Sequence, residues 1–145
     1  MNIEIREAHE NDYGQICSLI NNELGYPDVD FCDLTVRMRK MNQDKNYRTF
    51  VALLDDKIIG FIGTVQIIAF ENKSDYMRIT AFAVSNNYQN KGIGTSLLKH
   101  VENFAVSNGI TSFYLNSGFK RLDAHAFYEH NGYEKKSFGF KKDIL

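Results

Sequence analysis

Ser85-Asn86-Asn87-Tyr88-Gln89-Asn90-Lys91-Gly92-Ile93-Gly94 is the stretch whose residue types best suit chemistry. Two glycines one residue apart lead into a helix-periodic segment. Such a loop offers unpaired backbone N–H groups and the positive end of a helix dipole, with no Cβ to keep a ligand away. A phosphate suits that environment, and Lys91 adds a mobile positive charge. A glycine pair of this kind also serves merely to turn the chain. A P-loop would need GxxxxGK[ST], which is absent. A dinucleotide fingerprint would need a third glycine and a place after the first strand of repeated βαβ units, whereas Gly94 is followed by Thr95-Ser96-Leu97. Tyr128, read without its neighbours, is a packing aromatic whose ring fills the core.

The elements that must position these residues follow from hydrophobic period. Ile3 to Arg6 reads as a short strand, and Asn11-Asp12 as a helix start. Ile16, Leu19, Ile20 and Leu24 recur at helical spacing up to the break at Gly25-Tyr26-Pro27. Asp30 can cap a second helix with Phe31, Leu34, Met38 and Met41 on one face. The period then changes. Thr49–Leu54 and Ile58–Gly63 flank Asp55-Asp56-Lys57, a hairpin signal, and Ile58 to Phe70 is apolar at odd and even positions alike. A strand of that kind is covered on both faces, so helices must lie on both sides of the sheet.

Tyr76 to Val84 is again strand-like. Ile93, Leu97, Leu98, Val101, Phe104 and Ala105 mark the clearest helix, which Gly109 can end. Thr111–Leu115 is β-rich, Leu122–His130 is helix-compatible, and Tyr133–Phe140 predicts a last strand. The order is β-α-α-β-β-β-α-β-α-β, with no repeat or linker.

A chain of 145 residues and net charge −1 fits one domain with its own core, 1–145, and gives no broad basic face for nucleic acid. Cys17 and Cys32 lie in no CxxC pair and near no metal-type His spacing, so both are expected to be reduced and packed, with no metal. Charges interrupt Met1–Arg6 where a signal peptide would be apolar, and the longest apolar-rich segment is too short to span a bilayer as a helix. A cytoplasmic protein without a membrane partner is expected.

Phe82-Ala83-Val84 followed by Gln89-Asn90-Lys91-Gly92-Ile93-Gly94 resembles the central pattern of the GNAT superfamily of acetyl-CoA-dependent N-acetyltransferases, Gln/Arg-x-x-Gly-x-Gly/Ala after an apolar-Ala-Val strand end. The family's Ala-x-x-Phe-Tyr-x-x-x-Gly-Tyr/Phe is met by Ala124, Phe127, Tyr128, Gly132 and Tyr133. The resemblance covers the chain from Thr49 onward and is loose over the first 45 residues. It implies an α/β fold of α+β type: a central mixed, mostly antiparallel twisted sheet flanked by about four helices. A splayed strand pair would form the CoA cleft, with Val84 ending one strand and Ser112–Leu115 the other.

The resemblance also implies roles. The pantetheine arm would bond along Phe82, Ala83 and Val84, chiefly at Phe82 and Val84. The N–H groups of Gln89, Asn90, Lys91, Gly92, Ile93, Gly94 and Thr95 would hold the pyrophosphate, Asn116 would contact the pantetheine, and Phe127 would pack beside it. Tyr128 would face the thioester sulfur. The two N-terminal helices would wall the acceptor site, with Tyr26 a contact candidate.

An alkyl ammonium is neutral about once in 2,500 molecules at pH 7, so a base or desolvation must supply the free amine. Glu23, Glu71, Asp75 and His125 are the nearest candidates by element order, beside a water chain, and each also reads as a solvated surface group. The family often carries a glutamate on the strand before the loop; Arg78, Thr80 and Phe82 occupy those alternate positions here. A phenol facing a departing thiolate transfers its proton uphill by roughly 2 kcal/mol, so Tyr128 serves as hydrogen-bond donor as much as acid.

The leading expectation is acetyl transfer from acetyl-CoA to a primary amine of a small molecule, by direct attack in a ternary complex. The alternatives are a non-catalytic acyl-CoA-binding or sensing module, and an acetyltransferase of protein N-termini or lysines. A nucleic-acid-binding domain ranks last. A homodimer is possible but not readable from the sequence.

Overall fold

The alternation and helical periods of the chain are realised in a five-stranded sheet with helices against both faces. The computed structural model describes residues 2–145. Its contacts fall into two compact units, Met1–Tyr114 and Leu115–Leu145, and the whole sheet belongs to the first. In order, that unit contains β1 (Glu4–Glu7), α1 (Tyr13–Glu23), α2 (Phe31–Asn42), β2 (Tyr47–Leu54), β3 (Lys57–Ile67), β4 (Tyr76–Val84), α3 (Ile93–Ser107) and β5 (Phe113–Tyr114). Short 3-10 turns at Glu10–Asp12 and Asn86–Tyr88 lead into α1 and the loop before α3. The strands lie in sequence order, antiparallel from β1 to β4 and parallel between β4 and β5, an α+β arrangement.

The β2–β3 hairpin turns on Asp55 and Asp56 with φ of 50° and 63°, the left-handed pair whose twist matches the flanking strands. β3 is buried on both sides through its middle, as its two-sided apolar run predicts. On one face Tyr13, Ile16 and Cys17 of α1 and Leu34 and Met38 of α2 pack with Val51, Phe61 and Ala83. On the other, the Phe50 ring meets His100 and Phe104 of α3 at 4.9 and 5.6 Å. A Cβ on Gly60 would come within 3.1 Å of Leu97 Cδ1, so glycine here allows α3 to approach the sheet closely.

α2 is capped as expected: the Asp30 carboxylate accepts from Asp33 N–H at 3.0 Å. Its inner stripe is narrower than predicted, because only Leu34 and Met38 are buried and Phe31, in the first turn, is half exposed. Cys32 beside it faces outward, correcting the expectation that both cysteines are packed; Cys17 is buried.

β4 carries an irregularity that matters for the site. Gly63 pairs with Ala81 and Thr64 with Ile79, which leaves Thr80 as an extra residue, a bulge. β5 is shorter than the Thr111–Leu115 run suggests: its ladder has two pairs, Met77 with Phe113 and Arg78 with Tyr114, backed by Met77 N–H to Ser112 C=O at 2.9 Å. β4 continues six residues further with no strand paired on that side among the described residues, which is the splay expected from the family resemblance.

The second unit contains α4 (Leu122–His130), with the bounds read from sequence. The predicted strand over Tyr133–Phe140 does not form. A strand needs a partner for its N–H and C=O groups, and this segment makes side-chain contacts instead. Phe138 meets Phe119 with ring centroids 6.5 Å apart, and Gly139 lies against the Asn116 amide. Among the described residues no helix is long and apolar enough to cross a membrane.

Candidate active site

The loop between β4 and α3 is built as a donor cradle. Ser85 N–H donates to Ile59 C=O at 2.7 Å, so strand alternation turns Ala81 and Ala83 toward β3 and the backbone of Phe82 and Val84 to the opposite edge. The Ala83 side chain sits in the core on the α1 side. Asn90 (φ 62°) and Gly92 (φ 82°) are left-handed, and Gly92 is the N-cap of α3. The next backbone donor with an internal acceptor is Ser96, to Gly92 C=O at 3.0 Å. Asn90, Lys91, Gly92, Ile93, Gly94 and Thr95 therefore keep N–H groups that no backbone carbonyl takes, at the positive end of a 15-residue helix. The Ile93 side chain is buried.

Side chains brace this loop. Gln89 Nε2 donates to Val84 C=O at 3.0 Å, closing the turn from strand to loop. Glu23, the last residue of α1, accepts from Asn86 N–H at 2.8 Å. Lys57 and Lys91 set their ammonium groups over the Tyr88 ring, 5.7 and 6.0 Å from its centroid. Lys57 and Tyr88 were not singled out by sequence reasoning. The signal lay in the antiparallel pairing itself, since Gly60 opposite Val84 carries the start of β3 to the end of β4.

In the second unit, Tyr128 is held by its own motif. Gly132 (φ 91°) ends α4 in the left-handed conformation, and Tyr133 N–H returns to Tyr128 C=O at 2.9 Å. The Tyr128 ring then stands 5.5 Å from Phe127 and 6.0 Å from Tyr133. Burial raises the Tyr128 phenol above its ordinary pKa, partly offset by Arg121. Asn116 is exposed apart from its contact side at Gly139.

The four base candidates scatter. Glu23 is committed to Asn86, and Asp75 accepts from Gln66 Nε2 at 2.8 Å. His125 Nε2 lies 2.8 Å from Gly118 C=O and so carries the proton there, pinning the loop before α4. Glu71 is exposed in the β3–β4 loop. No group of three His, Cys, Asp or Glu side chains placed to hold a metal occurs among the described residues.

The sequence model of the acetyltransferase (GNAT) family matches residues 7–133, which takes in the cradle and the Tyr128 motif together. The chain belongs to the GNAT acetyltransferase family. This GNAT chain is 29% identical over 145 residues to the aminoalkylphosphonate N-acetyltransferase of Salmonella typhimurium, across 97% of this chain and 91% of that one. The crystal structure of a GNAT family acetyltransferase from Staphylococcus aureus shares 29% identity and a TM-score of 0.82, covering 99% of this chain and 100% of the other. That of a transcriptional regulator from Bacillus halodurans gives 0.91 over 99% and 100% at 23% identity, a likeness of fold.

Proposed function

We propose that the protein, as one domain over residues 1–145, moves the acetyl group of acetyl-CoA to the primary amine of a small molecule by direct attack in a ternary complex. The observation that carries this reading is the run of N–H groups from Asn90 to Thr95 without backbone acceptors, directly after a strand whose ladder with β5 stops at Arg78. A diphosphate fits that run: it needs several donors and close approach, and a Cβ on Gly92 would meet nothing within 4 Å, so the space above it is open.

Bound acetyl-CoA would supply a thioester carbonyl as the electrophile. Asn90–Thr95 N–H groups would hold its diphosphate, with Lys91 adding charge; Phe82 and Val84 backbone groups and the Asn116 amide would orient the pantetheine, and Phe127 would pack beside it. Backbone N–H groups of β4 would stabilise negative charge developing on the carbonyl oxygen. Tyr128 Oη would donate to the departing sulfur. Burial raises the phenol pKa and makes full proton transfer still more uphill, which favours Oη as a hydrogen-bond donor to the departing thiolate over a full acid. The relative named for aminoalkylphosphonates supports a small amine as acceptor, and that class heads the compounds to test.

The test pairs calorimetric titration with acetyl-CoA and a free-thiol assay over a panel of amines that includes aminoalkylphosphonates and a lysine peptide. Binding with CoA release on a small amine is expected. Release on the peptide alone would move the acceptor to proteins, binding without release on any amine would favour an acyl-CoA-sensing module, and no binding would overturn the cofactor reading.

A further inference from the structure

We propose that Glu23 is a positioning residue of the phosphate loop and not the base that deprotonates the acceptor. The inference rests on the cofactor reading above and deepens it. Glu23 closes α1, is half-buried, and places its carboxylate on Asn86 N–H at 2.8 Å across 63 positions of sequence. Asn86 opens the 3-10 turn Asn86–Tyr88, so its N–H is one of the orphan donors of a helical N-terminus. A carboxylate is the strongest acceptor available for it.

The position of that bond in the loop gives it leverage. From the end of β4 the backbone is tied to neighbouring elements at two points: Ser85 N–H on Ile59 of β3, then Asn86 N–H on Glu23 of α1. Tyr88 N–H turns back to Ser85 within the loop itself. After Asn86 the backbone makes no further hydrogen bond to another element before the donors at Asn90–Thr95 begin. Glu23 thus holds the last backbone N–H tied to another element before the segment whose N–H groups must converge on one anion. Its loss would let the turn drift and spread those donors, which weakens diphosphate binding without touching the reacting atoms.

The role and its rival separate cleanly by substitution. Glutamine keeps a carbonyl oxygen for Asn86 N–H but cannot take a proton from an ammonium, whereas alanine provides neither. For Glu23→Ala we expect the acetyl-CoA Kd and KM to rise about tenfold, the loss of one charge-assisted hydrogen bond, while kcat changes less than about threefold. Glu23→Gln should restore acetyl-CoA binding to within about threefold and leave the acid limb of the kcat/KM profile in place. Loss of that limb in Glu23→Gln, with turnover as low as in Glu23→Ala, would make Glu23 the base and overturn the proposal. Unchanged acetyl-CoA affinity in Glu23→Ala would overturn it too. Absence of binding by the unmodified protein would instead remove the cofactor reading itself, and this inference with it.

Discussion

Gln89 lays its side-chain amide on the backbone carbonyl of Val84, 3.0 Å away, so the first residue of the glycine motif is tied to the last residue of β4. That bond sets how sharply the chain leaves the sheet and hence where the donors at Asn90–Thr95 point. Replacing Gln89 with alanine should raise the KM for acetyl-CoA about fivefold, the value of about 1 kcal/mol for an exposed neutral hydrogen bond. Turnover at saturation should stay near that of the parent, which steady-state kinetics with varied acetyl-CoA would check.

Tyr128→Phe keeps the ring between Phe127 and Tyr133 and removes only Oη. We expect kcat to fall about a hundredfold, the usual worth of a positioned proton donor, with acetyl-CoA affinity by calorimetry unchanged. In the parent protein the raised phenol pKa moves any loss of activity from tyrosine ionisation to a pH above the ordinary value near 10. An intact kcat in the phenylalanine variant would remove Tyr128 from the chemistry.

Gly92 separates strain from function at the cradle. Its φ of 82° disfavours any residue with a Cβ, yet no atom lies within 4 Å of where that Cβ would stand. Gly92→Ala should therefore cost about 1 kcal/mol through backbone conformation alone. Acetyl-CoA affinity should drop more than stability does, since the strain is relieved by moving the N–H groups that bind. Urea unfolding beside calorimetry would compare the two.

Asp12 gives the fold an acid-sensitive anchor. It is buried, and Arg6 holds it through two hydrogen bonds of 2.7 and 3.1 Å while His9 N–H donates at 2.7 Å. Burial alone would raise its pKa, but Arg6 and the backbone bond outweigh burial and leave it below the ordinary carboxylate value. A folded pKa below the unfolded one means that the stabilisation is full above the unfolded value and is lost as pH falls through the folded one. Asp12→Asn should cost about 2 kcal/mol at pH 7 by urea unfolding and should flatten the loss of stability below pH 4.

Local signals carried most of the fold. The two-sided apolar run of β3, the hairpin at Asp55-Asp56, the Asp30 cap and the stripe of α3 are each written in neighbouring residues, and α4 appears with the bounds of the helix-compatible segment Leu122–His130. The cradle was legible for the same reason: glycine spacing and the strand before it are contiguous. What escaped is long-range. Glu23 meets Asn86 only because α1 folds against the sheet, and Lys57 meets Tyr88 only through strand pairing. The alternation of Phe138 and Phe140 suggested a strand, but period two describes a surface and not the hydrogen-bonding partner that a strand requires.

The extra residue at Thr80 acts as a change of phase within one strand. Met77 N–H faces β5 and Ser85 N–H faces β3, although both are odd-numbered and would point the same way in an uninterrupted strand. Met77 and Ile79 are accordingly buried outside the cluster that Ala81 and Ala83 join. β4 thus reads in two frames: up to the bulge its odd residues speak to β5, and after it the even residues Phe82 and Val84 take over that same edge. A single inserted position thus changes which residues of one strand present their backbone to the β5 side, odd ones before it and even ones after.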